Sequence, residues 1–240
     1  MSLPAEILPE TIHPSLWRGS QLARGRDRGI ATGHAELDRE LPGGVWPQGA
    51  LTDLLVRQPG IGELRLLVPA LAKLGARPIA VVQPPHTVQP VAFSHRGLDA
   101  KRLTVLRAPK TADALWATEQ VLRTGTFGAV MFWQQYVRPE SLRRLHLAAQ
   151  SGGESVFFPF RPLAAARDTS PAPLRLSLTP ADVGISISFV KRRGPARDEP
   201  LVVSLSPSPV LLSRHGSLDR RTSAAHRPRV VPTDMVSVLV

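Results

Sequence analysis

The sequence predicts an α/β domain with a mainly parallel central sheet, helices on both faces and antiparallel strands at one edge. Three observations carry this. Short apolar runs at 50–56, 78–82, 103–106, 128–133 and 155–159 alternate with stretches of helical period. The first run, ALTDLLV, ends at a Pro-Gly loop, as expected of a strand buried on both faces. The runs at 173–179, 184–191 and 200–205 come last. Within them SISFV and LVVSL alternate in part and are joined by a Gly-Pro-containing connection, the pattern of antiparallel edge strands.

Between these runs lie the helices. Residues 63–74 carry Leu67, Leu71 and Leu74 on one side, with Pro69 inside. An interior proline removes a ladder hydrogen bond, so a kink or a late start is expected there. Residues 111–124 form a helix that Thr111 caps, with Asp113 in its first turn and Gly125 ending it. Ala114/Val121 and Leu115/Leu122 repeat at seven residues on one face. Pro139 opens a further helix, with Leu142, Leu145 and Ala149 inward, Arg143 and Arg144 outward, and Gly152 after its end.

The chain has 240 residues, enough for one large domain with a sizeable core. Three zones are expected: an N-terminal arm over 1–30 with a short amphipathic helix, the α/β domain over 31–205, and a basic Pro/Ser-rich tail over 206–240 that is mobile. Twenty-four prolines agree with a chain that is irregular in part. The absence of cysteine excludes disulfides, Cys-ligated zinc, iron–sulfur clusters and thiol catalysis. No run approaches the length of a membrane span. The start, MSLPAEILPETIHP, is acidic and proline-broken, unlike a secretory signal. A soluble, cytoplasmic protein is expected.

The net charge of +11 suggests nucleic acid or an acidic partner, and equally a merely basic surface. Residues 191–240 hold nine Lys/Arg against four Asp/Glu, so nearly half of the excess lies outside the expected core.

In such a sheet the loop after the first strand is the usual phosphate site. Here it reads Arg57-Gln58-Pro59-Gly60-Ile61-Gly62-Glu63-Leu64. A working phosphate loop, G-x-x-x-x-G-K-[ST], needs a lysine for the phosphates and a hydroxyl for magnesium. In register on Gly62, Arg57 replaces the first glycine, Glu63 the lysine and Leu64 the hydroxyl residue. A carboxylate there repels phosphate. The loop alone is better read as an ordinary glycine-rich turn.

A wider similarity bears on that choice. Gly33-His34-Ala35-Glu36-Leu37-Asp38, followed by Leu41-Pro42-Gly43-Gly44 and Gly49-Ala50, resembles the approach to the phosphate loop of RecA-like recombinases. Gln83-Pro84-Pro85-His86 resembles the region of their catalytic glutamate, with Pro85 in its place. Ala129-Val130-Met131-Phe132-Trp133 resembles the Walker B strand, with Trp133 in place of its acid. Four losses at separate positions map to one site, which implies a degenerate nucleotide site on a RecA-like, P-loop-type scaffold.

LPGGVWPQGALTDLL, GIGELRLLVPAL, QPPH, DALWATEQVLRTG, LRRLHLAAQ and FVKRRG occur in that order. Together they resemble the ImuA family of translesion-synthesis accessory proteins, over about residues 13–195. That family is RecA-like and related to the SulA division inhibitors. The resemblance implies a non-catalytic role in the SOS response to DNA damage, through contacts with ImuB, RecA and an error-prone DnaE-type polymerase. It implies no cofactor. A SulA-type inhibitor binding FtsZ is the alternative. An active ATP-dependent recombinase lacks the groups it needs.

Other chemistry is thin. The seven histidines show no H-x-H, H-E-x-x-H or i,i+4 spacing, so no metal site is proposed. Glu36/Asp38 reads as a solvated helix face, Asp198/Glu199 as a turn and His86 as a loop residue. Phe157, Phe158 and Phe160 read as core. Lys191, Arg192 and Arg193 end a strand, so their charges should emerge together. They would meet an acidic partner or bind DNA weakly, or form a solvated turn. Trp17 with Arg18 is a candidate docking element.

Overall fold

In the computed structural model, residues 28–205 are described. Trp17, Arg18 and the 206–240 tail lie outside the described residues. The chain runs β1 (Gly29–Ile30), α1 (Ala35–Glu40), β2 (Trp46–Pro47), β3 (Ala50–Val56), α2 (Glu63–Ala72), β4 (Ile79–Val82), α3 (Pro90–Ser94) and β5 (Leu103–Leu106). It continues through α4 (Thr111–Thr124), β6 (Ala129–Trp133), α5 (Pro139–Gly152), β7 (Val156–Pro162), β8 (Leu174–Ala181), β9 (Gly184–Lys191) and β10 (Leu201–Ser204).

Eight strands form one sheet in the order β10-β9-β8-β3-β7-β6-β4-β5. Every pair from β8 to β5 is parallel. β8–β9 and β9–β10 are antiparallel. The protein is thus an α/β domain with a mixed, mostly parallel sheet, and the alternating runs are its antiparallel edge. The parallel strands carry the apolar runs because helices cover both of their faces. On one face Leu37 of α1, Leu66, Leu67 and Leu71 of α2 and Phe93 of α3 pack on Leu54, Val81, Met131 and Phe158. On the other, Ala114 and Leu122 of α4 and Leu142, Leu145 and Ala149 of α5 pack on Leu51, Val82, Phe132 and Phe157. Phe157, Phe158 and Phe160 are all buried, as core residues.

Several local expectations change. Lys110, not Thr111, is the N-cap of α4 and makes no side-chain cap. Thr111 is the first helical residue, and its hydroxyl accepts a hydrogen bond from Gln134 Nε2 at 3.2 Å. Gly152 is the last residue of α5, and Gly153, at φ 73°, follows it. The reason is crowding: a Cβ on Gly152 would stand 2.1 Å from the Leu122 carbonyl oxygen, so only glycine lets the ends of α4 and α5 meet. Helix α2 neither starts late nor breaks at Pro69. The helix runs on through the proline, and the preceding loop docks beside it. Gly33 abuts the Pro69 ring, and His34 Nε2 donates to the Leu66 carbonyl at 3.1 Å. Asp38 is not simply solvated, since its Oδ1 accepts the Thr32 N–H at 2.8 Å.

The central strand holds a charge inside the core. Asp53 is fully buried, and its Oδ2 accepts from Arg161 Nη1 of β7 at 3.1 Å and Arg175 Nε of β8 at 3.0 Å. Removing one partner of a buried pair strands the other charges. Asp53→Ala is therefore expected to destabilise the domain by about 3–5 kcal/mol, read from urea unfolding.

His146 of α5 accepts the Leu51 N–H on Nδ1 at 3.3 Å. Burial, and secondarily the charge of Lys191, hold its pKa below the ordinary 6.5. The unfolded chain therefore takes up the proton more readily. This contribution to stability is whole above pH 6.5 and is lost as pH falls below it. Between about pH 7.5 and about pH 5.5, wild-type protein should lose more thermal stability than His146→Gln, whose amide oxygen can keep the acceptor.

Candidate functional site

The carboxyl ends of the parallel strands form the candidate site. Loops after β3 and β4 lead to helices on one face of the sheet, and the loop after β6 leads to α5 on the other. Where connections part to opposite faces, a crevice opens outside the strand ends. Here it encloses about 530 Å³. Its lining comes from 56–59 after β3, 83–85 after β4, Arg107 after β5, 133–135 after β6 and 160–162 on β7. A second, more enclosed space of about 230 Å³ lies behind, bordered by Gly60, Glu63, Leu64, Phe93 and Met131. Pro84, Pro85 and Trp133 line both.

The loop itself is occupied from within. Glu63 is the first residue of α2 and is 3% exposed. Its Oε1 accepts the Gly60 N–H at 2.8 Å and its Oε2 the Gly62 N–H at 3.1 Å. Gly60 and Gly62 have φ of 93° and 110°, a left-handed backbone open to glycine at little cost. Successive turns of this kind aim their amides into a concavity that suits an anion. The helix N-terminus favours negative charge at the same place. All three features point to an anion, and the side chain at position 63 supplies it.

Trp133 is 7% exposed and stacks on Phe160, with ring centroids 4.4 Å apart and planes 7° from parallel. Its indole N–H has no hydrogen-bond partner. Gln83 holds the adjoining strand ends together. Its Nε2 donates to the Ala108 carbonyl at 2.6 Å, and its Oε1 accepts the Ala108 N–H at 3.2 Å. Gln83 is the non-glycine residue with positive φ, 53°, among the described residues, a sparsely populated conformation that this double bond stabilises. Arg161 lies among the lining residues and bridges Asp53 and Asp168.

The structure thus gathers Arg57, Gly60, Gly62, Glu63, Leu64, Pro85 and Trp133 at one edge. Lys191, Arg192 and Arg193 sit at the other, because β9 runs antiparallel to β8 and Lys191 pairs with Arg175 near the start of that strand. Lys191 and Arg193 are exposed, and Arg192 is half-buried. Arg192 turns back to Glu40, with Nη1 to Oε2 at 3.0 Å, and lies 4.8 Å from the Phe189 ring centroid. Lys191 Nζ donates to the Ser170 carbonyl at 3.3 Å.

In the sequence Gln83 stands out only as part of a motif and Phe160 only as core, and the Asp53–Arg161–Arg175 group does not stand out at all. One signal was available: an aspartate in the middle of ALTDLLV and the arginine of the apolar run LRLSL cannot be buried without each other.

Among the described residues no helix is long and apolar enough to cross a membrane. No protein-family model and no curated protein matches the chain. Among solved structures, the crystal structure of SulA from Pseudomonas aeruginosa is 26% identical, covering 47% of this chain and 97% of that one, at a TM-score of 0.39. The likeness is distant, and no shared fold or function follows from it.

Replacing the Glu63 carboxylate by an amide turns one acceptor into a donor facing a donor. Glu63→Gln should destabilise the domain by about 1–3 kcal/mol. Hydrogen exchange at the Gly60 and Gly62 amides should quicken more than elsewhere.

Proposed function

We propose that this chain is a non-catalytic, RecA-like accessory protein of mutagenic translesion DNA synthesis, working in the cytoplasm through contacts with other proteins. The observation that carries the non-catalytic part is the Glu63 carboxylate on the Gly60 and Gly62 amides. A nucleotide phosphate would need those same N–H groups and would meet a fixed negative charge instead. Leu64, Pro85 and Trp133 offer no ligand for magnesium and no general base. The site is a phosphate loop closed by its own side chain, with the acids of phosphoryl transfer replaced.

The choice of pathway is supported by the ordered resemblance to the ImuA family, from the Pro-Gly-Gly turn at 42–44 to Lys191-Arg192-Arg193. On that basis the partners are ImuB, RecA and an error-prone DnaE-type polymerase.

Tagged full-length protein recovered from DNA-damaged cells should bring down ImuB. Purified protein should show no calorimetric binding of ATP with magnesium at micromolar nucleotide. Robust magnesium-dependent ATP hydrolysis would overturn the proposal. Filamentous cells on overexpression, with direct FtsZ binding and no ImuB, would move the chain to a division-inhibitor role.

A further inference from the structure

With the phosphate loop filled by Glu63, the crevice beside it still has the build of a binding site. Its lining residues include Arg57, Arg107 and Arg161 and no carboxylate. Arg161 is neutralised by Asp53 and Asp168. Arg57 makes no ion pair among the described residues, and Arg107 has only the His86 carbonyl as partner, at 3.0 Å from Nη2. Two uncompensated guanidiniums therefore flank the opening.

Trp133 and Phe160 are stacked at the inner ends of the strands, and Pro59, Pro84, Pro85 and Pro162 supply apolar walls. Trp133 also carries a buried indole N–H without a hydrogen-bond partner, as Trp46 does in the core. The enclosed volume lies in the range of small-ligand and side-chain pockets.

We infer that this crevice captures an acidic segment of a protein partner, with Arg57 after β3 and Arg107 after β5 as separate basic contacts for its carboxylates and the Trp133–Phe160 stack lining the space between them for an apolar side chain. A guanidinium fork matches a carboxylate in two parallel hydrogen bonds. The Trp133 N–H, on a residue of the same lining, is a donor without an acceptor. A polyphosphate is disfavoured because the backbone amides that would wrap it already hold Glu63. The inference rests on the protein-contact reading above and names the surface that makes the contact.

The test uses full-length protein and two fluorescent pools of blocked hexapeptides: one of Asp, Glu, Leu and Phe, and the same pool with Asn and Gln for the acids. The acidic pool should bind saturably and shift the Trp133 indole N–H resonance, assigned by its loss in Trp133→Phe. The neutral pool should do neither. Arg57→Glu with Arg107→Glu should weaken binding by about tenfold or more. Lys73→Glu with Lys101→Glu changes the net charge equally at the opposite edge and should leave binding intact. If the first pair melts early, Arg57→Gln with Arg107→Gln serves in its place. No saturable binding, an equal loss in the Lys73/Lys101 control, or displacement of the peptide by ATP or pyrophosphate at lower concentration would overturn the inference. The measurement is made on purified components. It can therefore fail while ImuB still co-purifies, or succeed while the pathway assignment fails.

Discussion

The buried carboxylate of Asp53 is the constraint around which the sheet is arranged. It lies on β3, between the only two strands that can reach it, and receives a guanidinium from each. A lone ion there would cost several kcal/mol in lost hydration. Pairing offsets this better because most of the remaining guanidinium N–H groups are also used, Arg161 Nε being the exception. Arg161 reaches Asp168 on its second arm, and Arg175 donates to the carbonyls of Ala165, Ala166 and Asp168. The short turn over Leu163–Arg167 is thereby folded across the sheet where no long helix covers it. The same contacts set the register of β7 and β8 against β3. They also place Arg161 at the inner end of the crevice, one residue from Phe160 and its stack with Trp133.

Glu63 repeats this logic at the strand ends. A left-handed glycine loop at a helix N-terminus concentrates N–H dipoles, and those dipoles require a negative partner. In a nucleotide-binding protein the partner is borrowed from the ligand. Here it is built in, so the loop is complete in the free protein. Beside it, the arginines at 57 and 107 have no such internal partner among the described residues. The loop is satisfied, while the crevice keeps unspent positive charge over an aromatic floor.

Much of this was legible in the sequence. The parallel strands appear as unbroken apolar runs because both of their faces are covered. The edge strands alternate because one face is less so. The residues at 57, 63, 64, 85 and 133 converge on one strand edge, as their order along an α/β chain requires. The features that escaped are those made by long-range pairs. Thr111 has the chemistry of a cap, yet Gln134 takes its hydroxyl. Pro69 should break a helix, yet the helix runs through it with Gly33 against its ring and His34 on the Leu66 carbonyl. Arg192 belongs to a basic run, yet Glu40 lies within reach 152 residues earlier in the chain.

By itself, then, the sequence determined the alternation of strands and helices, the position of the glycine loop and the carboxylate at position 63. All are properties of local period and residue type. Only the tertiary structure decided what that carboxylate does. Whether a carboxylate at position 63 merely repels phosphate or takes its place depends on where two backbone N–H groups point. Whether three basic residues face a ligand depends on which end of the sheet an antiparallel strand delivers them to. Direction and distance in space make those choices, and residue identity along the chain does not encode them one position at a time.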